Sequence, residues 1–103
     1  HIYMDISWDE VAKYVTSSPE AIQQAADLIN RYPDRFLFGT DVVAPASVDA
    51  MVSVYKAYGP LWAALTPEAF QKVTKGNYEH LFDKARERVR NWESENLQQR
   101  SKP

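Results

Sequence analysis

Residues 36–41 read Phe-Leu-Phe-Gly-Thr-Asp, an apolar run that ends at an acid. Alternation along this run places the two phenylalanines on one face and Leu37, Gly39 and Asp41 on the opposite face. Because both faces are apolar until the acid, we predict a strand over residues 35–41 that is covered on both sides. The phenylalanines are expected to pack against helices.

A second strand and a helix precede this run. Residues 2–7 alternate between apolar and mostly polar positions, which predicts a strand. Ser17-Ser18-Pro19-Glu20 has the composition of a helix start, and apolar residues follow from Ile22 at helical spacing until Tyr32-Pro33-Asp34. The order strand, helix, strand predicts a parallel pair with a right-handed crossover.

Three helical segments are predicted after the second strand. Ser47 is expected to cap the first, which should end at Gly59-Pro60. Thr66 begins a brief second helix that Gly76 would close in a left-handed conformation, and Asn77 would cap the long final helix. The apolar stripes expected to be buried are Val48, Met51, Val52, Tyr55 and Tyr58 in the first helix, and Tyr78, Leu81, Phe82, Ala85, Val89 and Trp92 in the last.

Composition excludes several classes of function. The chain has 103 residues, a net charge of −2 and no cysteine. We therefore expect no nucleic-acid partner and no thiolate or disulfide chemistry, and no apolar run is long enough to predict a membrane partner. Neither His-x-His spacing nor a phosphate-binding glycine loop occurs. A complete (β/α)₈ barrel needs roughly 250 residues, so the chain could hold about two of the eight units.

Asp41 is the main candidate for a site residue. Ligands of parallel α/β sheets gather at the carboxyl ends of strands, and Gly39 would leave room beside this acid. The alternative is that Asp41 only caps a turn. Asp5 and Ser7 are likewise either supporting groups of a site or a turn-capping pair. His80 lies on a charged helix, so the spacing does not support a nucleophilic triad.

Three segments, in order, resemble the carboxyl-terminal part of the metal-dependent amidohydrolase superfamily, in its amidohydrolase-related branch. Residues 3–8 (Tyr-Met-Asp-Ile-Ser-Trp) look like the seventh barrel strand. Residues 32–41 (Tyr-Pro-Asp-Arg-Phe-Leu-Phe-Gly-Thr-Asp) look like the approach to the eighth strand and its body, and form the most specific of the three motifs. Residues 76–82 (Gly-Asn-Tyr-Glu-His-Leu-Phe) look like the turn and start of the closing helix.

The resemblance implies an α/β fold. It implies the last two β/α units of a TIM (β/α)₈ barrel plus a C-terminal helix, predominantly helical by residue count. Residues 1–103 would form a single partial domain. Within it, residues 1–92 would be the carboxyl-terminal part of the amidohydrolase-like barrel, and residues 93–103 would be a polar tail that frays.

The resemblance also implies a role for Asp41 in a longer parent protein. That protein would hydrolyse a small-molecule substrate, or carry out a related decarboxylation, with a divalent metal, zinc being favoured. Asp41 would ligate the metal or take a proton from its bound water. The histidines and other ligands of the family have no counterpart here, so we expect a C-terminal fragment that is inactive and binds no metal by itself.

The expected binding partners, and the alternative functions, follow from the missing part of the barrel. The rest of the barrel, or a homo-oligomeric partner, is expected to complete the two-stranded sheet. Self-association, as a symmetric dimer or a domain-swapped assembly, is one such outcome. The alternative function is a stand-alone, mainly helical protein-interaction module without catalysis, in which the apolar stripes bind a partner.

Overall fold

The computed structural model describes residues 2–100, with side chains described for residues 2–97. Helices contain most of these residues, and two very short strands form a parallel sheet. In chain order the elements are β1 (Met4–Asp5), α1 (Asp9–Val15), α2 (Pro19–Arg31), a 3₁₀ turn (Pro33–Arg35), β2 (Phe36–Leu37), α3 (Val48–Ala57), α4 (Gly59–Ala64), α5 (Pro67–Gln71), a π-helical turn (Lys72–Gly76) and α6 (Asn77–Arg100).

The two strands pair in parallel, as the order of elements predicts. Met4 lies opposite Phe36, and Asp5 lies opposite Leu37. The amide of Ile6 also donates to the Leu37 carbonyl at 2.9 Å, just beyond the end of β1. The parallel pairing is therefore confirmed.

The prediction of two β/α units of a TIM barrel is wrong for the described residues, because the structure is mostly helical and its sheet has only two strands of two residues each. Both strands stop because the backbone amides beyond them bond elsewhere. The Ser7 amide donates to the carboxylate of Asp5 at 2.8 Å, which makes a turn. The Phe38 amide donates to the Val73 carbonyl at 3.3 Å, in the π-helical turn. Alternation in sequence predicted long strands, but strand length depends on neighbours to pair with.

Local signals for α2 are confirmed. The hydroxyl of Ser18 accepts a hydrogen bond from the Ala21 amide at 3.0 Å, and Pro19 takes the first helical position. Ala26 and Ile29, from the predicted stripe, are buried. The helix ends at Arg31, directly before the predicted stop. A proline-containing start and a capping serine act within one turn, so sequence alone was sufficient here.

The core is built around an aromatic cluster. The ring of Phe38 lies 4.9 Å from the ring of Tyr58 and 5.0 Å from that of Trp62, centroid to centroid, both edge to face. Such pairs add to the free energy gained from burial alone. Phe36 and Phe38 are both buried, and the ring of Phe38 packs against that of Trp62 in α4. The buried apolar residues are Ala12, Ala26, Ile29, Phe36, Phe38, Tyr58, Leu61, Leu65, Ala69 and Val73.

The stripe predicted for α3 is mostly exposed. Ser47 caps this helix as expected, its hydroxyl accepting from the Ala50 amide. However, Gly59 and Pro60 begin α4 rather than only ending α3. Of the predicted stripe only Tyr58 is buried, and the exposed members are Val48, Met51, Val52 and Tyr55.

The junction before α6 also differs from the prediction. Gly76 does not adopt a left-handed conformation, and the chain passes from α5 through the π-helical turn into α6 without a break. Asn77 is therefore not a cap. Its buried side-chain amide donates to the carbonyl oxygens of Pro33 at 2.7 Å and Phe36 at 2.8 Å. This asparagine fastens the start of α6 to the chain that enters β2.

Replacing Asn77 by alanine should lower the free energy of unfolding by about 2 kcal/mol, because two carbonyl oxygens would lose their donor inside the protein. Urea denaturation followed by circular dichroism measures this change. Asn91→Ala, on the exposed part of α6, is the matched control and should leave the unfolding free energy nearly unchanged. Equal stability of the two variants would contradict the fastening role.

The last helix extends further than expected. It continues through Arg100, whereas fraying was predicted from residue 93. Its principal contacts are with the π-helical turn and β2, at its amino-terminal end. Residues 101–103 of the predicted polar tail lie outside the described residues. The division into a body and a polar tail stays a prediction.

Candidate functional site

A cleft of about 400 Å³ lies at the carboxyl ends of the two strands. The chain leaves β1, turns into α1 and contributes Trp8 and Asp9 to one side. After β2 the chain contributes Asp41, Val42 and Val43, and α3 supplies the remaining wall with Ala50 and Val54. Asp41 therefore lies in the loop that follows β2, four residues beyond the end of the strand, and its side chain is exposed.

Two residues that line this cleft have unusual backbone conformations. Asp41 has φ 53°, and Trp8 has φ 98°. Aspartate tolerates the left-handed region because its short side chain can bond locally, but a bulky residue there is an outlier. Such conformations persist where surrounding structure holds them, and they concentrate at functional sites.

Tyr58 holds the strained segment at Trp8. Its single hydroxyl proton is shared between two acceptors, the carbonyl oxygens of Ile6 and, at 2.8 Å, Trp8. Burial, together with smaller contributions from the nearby carboxylates of Asp5 and Asp9, raises the pKa of Tyr58 to about 12. The hydroxyl therefore remains protonated at neutral pH and acts as a donor that positions the wall of the cleft.

Gly39 does not leave open space beside Asp41, contrary to the prediction. A Cβ atom at Gly39 would lie 3.1 Å from the hydroxyl oxygen of Ser7 and 3.6 Å from that of Tyr78. The missing side chain lets these two hydroxyls approach the strand. Burial, with a contribution from Asp5, raises the pKa of Tyr78.

Asp5 serves a turn, and His80 lies elsewhere. The carboxylate of Asp5 accepts from the Ser7 amide, so the turn-capping alternative is confirmed for this residue. His80 is exposed on α6 and lines two clefts with Tyr3, neither of which Ser7 lines. The structure therefore does not bring Asp5, Ser7 and His80 together as a triad.

The cleft contains a second carboxylate that the sequence pattern did not indicate. Asp9 lines it together with Asp41. Its signal was weak, since an acid in the first turn of a helix is common for electrostatic reasons alone. Within residues 2–100 there is no group of three or more histidine, cysteine, aspartate or glutamate side chains suited to a metal ion. The oxygens of Asp9 and Asp41 suit a divalent cation chemically, but most of the ligands would have to come from outside these residues.

Comparison with known proteins finds no match. The chain matches no known family, no curated protein and no solved structure. No helix within residues 2–100 is long and apolar enough to cross a membrane. A proposal of function therefore rests on the cleft at Asp41, on the exposed apolar faces, and on the three sequence motifs.

Proposed function

We propose that the chain is the carboxyl-terminal part of a metal-dependent hydrolase of the amidohydrolase-related branch, acting on a small molecule. The supporting observation is the position of Asp41. This acid ends the most specific motif, follows a strand of a parallel pair and lines a cleft at the carboxyl edge. Asp41 and Trp8, two of the three non-glycine residues with positive φ in the described part of the chain, line this cleft.

Asp41 would hold a divalent metal, with zinc favoured, or accept the proton of the attacking water. Its exposed carboxylate is an acceptor in a cleft that also contains Asp9. When bound, the metal would lower the pKa of a coordinated water and polarise the substrate. Asp41 would orient that water through a hydrogen bond and take up its proton.

Exposed apolar surfaces support the view that further protein packs against this chain. Ile2 and Met4 are 77% and 53% exposed beside the small sheet, and Val48 of α3 is 75% exposed. A two-stranded sheet is marginally stable by itself, and its edges can pair with further strands. In the proposed hydrolase the rest of the protein covers these surfaces and supplies the missing metal ligands. The isolated chain is expected to be inactive.

Metal content and chelation test the proposal in the longer protein that contains residues 1–103. Purified without added metal, this protein should contain a divalent ion by elemental mass spectrometry. It should hydrolyse members of an amide and ester panel, lose that activity to a chelator, and regain it with Zn²⁺. Absence of both metal and hydrolysis, including related decarboxylation, would overturn the proposal.

A second candidate function is a mainly helical protein-interaction module without catalysis. The observation that favours it is the exposed apolar face of α3, which a helix of a finished monomer would normally bury. In that case a partner protein should bind the longer protein whether or not a chelator is present. Activity that depends on metal distinguishes the first function from this one.

A further inference from the structure

The last helix carries an apolar face that nothing in the described part of the chain covers. Beyond its first two turns, almost every described residue of α6 is exposed. Phe82, Val89 and Trp92 are 61%, 54% and 58% exposed, although side chains of this size are normally buried. The molecule is correspondingly elongated, measuring 66 × 36 × 19 Å.

The apolar residues of this face recur at intervals of four and three, a spacing shared by coiled-coil seams and by helices that pack on a globular core. The rings of Tyr78 and Phe82, at the start of this face, stack on each other with centroids 6.0 Å apart. The seam, which occupies alternating d and a positions, consists of Tyr78, Phe82, Ala85, Val89, Trp92 and Asn96.

Charges beside the seam indicate which kind of helix fits it. Arg88 occupies a g position, and Glu93 occupies the e position five residues later. In a parallel, in-register pair these positions face each other across the seam, so each helix would form an Arg88–Glu93 ion pair with the other. Glu93 already pairs with Arg90 of its own helix at 2.8 Å, so the added arginine would complete a small network.

The opposite orientation is unfavourable. An antiparallel pairing that keeps the seam aligned would place Arg86 against Arg86 and Arg88 against Arg88 of the second copy. Asn96 adds a second preference. A single asparagine at an a position helps to select register, because the two side chains can satisfy each other when they face across the seam. The amide nitrogen of Asn96 donates to the Trp92 carbonyl at 2.8 Å, which leaves its oxygen free to accept.

We propose that α6 binds the α6 helix of a second copy of this chain as a parallel, in-register coiled coil. The seam side chains interlock along the helix axis, Arg88 of each copy pairs with Glu93 of the other, and the two Asn96 side chains meet near the carboxyl end. This contact does not use the edges of the small sheet or the cleft at Asp41. It therefore goes beyond the proposed hydrolase function and does not depend on it.

Sedimentation equilibrium of the 103-residue chain should show a monomer–dimer equilibrium. Val89→Glu should raise the dissociation constant by about 100-fold, since two apolar seam contacts are lost and two like charges are added. Urea denaturation should show that the core keeps its stability, because Val89 lies outside it. Ser94→Glu, on the outer face of the same helix, is the matched control and should leave dimerisation unchanged.

A charge exchange tests the pairing itself. Arg88→Glu and Glu93→Arg should each weaken the dimer, because each places like charges together across the seam. The double variant should restore the dimer to within a few-fold of the wild type. A double variant as weak as either single variant would overturn the assigned pairing.

Orientation can be read from cysteine crosslinking, because the chain has no cysteine of its own. Asn96→Cys should form an intermolecular disulfide in a glutathione buffer, whereas Ser94→Cys should not. In an antiparallel pair the two residues at position 96 would be about 27 Å apart, far beyond the reach of a disulfide. A monomeric wild-type chain, or equal crosslinking of the two variants, would overturn the proposal.

Discussion

Replacing Asp41 by asparagine in the longer protein is expected to lower kcat/KM for metal-dependent hydrolysis by about 10³-fold, since general-base catalysis typically contributes 10²–10⁴-fold. Asparagine keeps the shape of the side chain but removes the charge that ligates a metal and the basic oxygen that accepts a proton. It also tolerates the left-handed backbone that Asp41 adopts at φ 53°. The loss should therefore appear in turnover rather than in folding.

Asp49→Asn provides the matched control for this experiment. Asp49 is also an exposed carboxylate, but it lies in the first turn of α3 and does not line the cleft. Its replacement should leave turnover close to that of the wild type. Thermal denaturation of both variants checks that folding is retained. Near-wild-type turnover of Asp41→Asn would show that the acid only caps a turn.

Replacing Tyr58 by alanine is expected to remove about 4 kcal/mol of stability, which is typical for a large aromatic side chain lost from a core. Tyr58 is fully buried, and its ring packs on those of Phe38 and Trp62. Its hydroxyl also fastens the backbone at Ile6 and Trp8. Domains of this size have only about 5–15 kcal/mol in total, so this loss is roughly a quarter to four-fifths of the stability. Urea denaturation at neutral pH measures the effect.

Tyr58→Phe separates packing from the hydroxyl. This variant keeps the ring and should lose about 1–3 kcal/mol, because the carbonyls of Ile6 and Trp8 would lose a buried donor. If alanine and phenylalanine at this position cost the same, the aromatic cluster would not be the main source of stability. If phenylalanine costs nothing, the hydroxyl does not hold the strained turn at Trp8.

Much of the helical structure was predictable because its signals act over a few residues. Ser18, Ser47 and Thr66 each accept a hydrogen bond from the amide three residues later, as capping residues do. Signals at the junction before α6 were misleading because a long-range contact overrides the local pattern there. A glycine followed by asparagine suggested a break, but the Asn77 side chain instead found two carbonyls more than forty residues away in sequence. Such a contact leaves no local trace.

The candidate site also combines residues with local sequence signals and residues that only distant contacts bring into place. Asp41 was noticeable because an acid at the end of an apolar run of sequence is a local pattern. Asp9 was not, because only the parallel pairing of the strands brings the two chain segments to one cleft. Tyr58 was expected merely as one member of a buried stripe, and its role at Trp8 depends on a contact across about fifty residues.

The sequence by itself determined where α2, α3 and α5 start, that the two strands run in parallel, and that Phe36 and Phe38 are buried. These features follow from periodicity and from capping within single turns. Only the tertiary structure decided that the strands are two residues long, that most of the α3 stripe is exposed, and that α6 leaves its apolar seam uncovered beyond its first two turns. The physical reason is that amphipathic patterns state which side chains favour burial, whereas burial itself requires a surface at the right place to cover them.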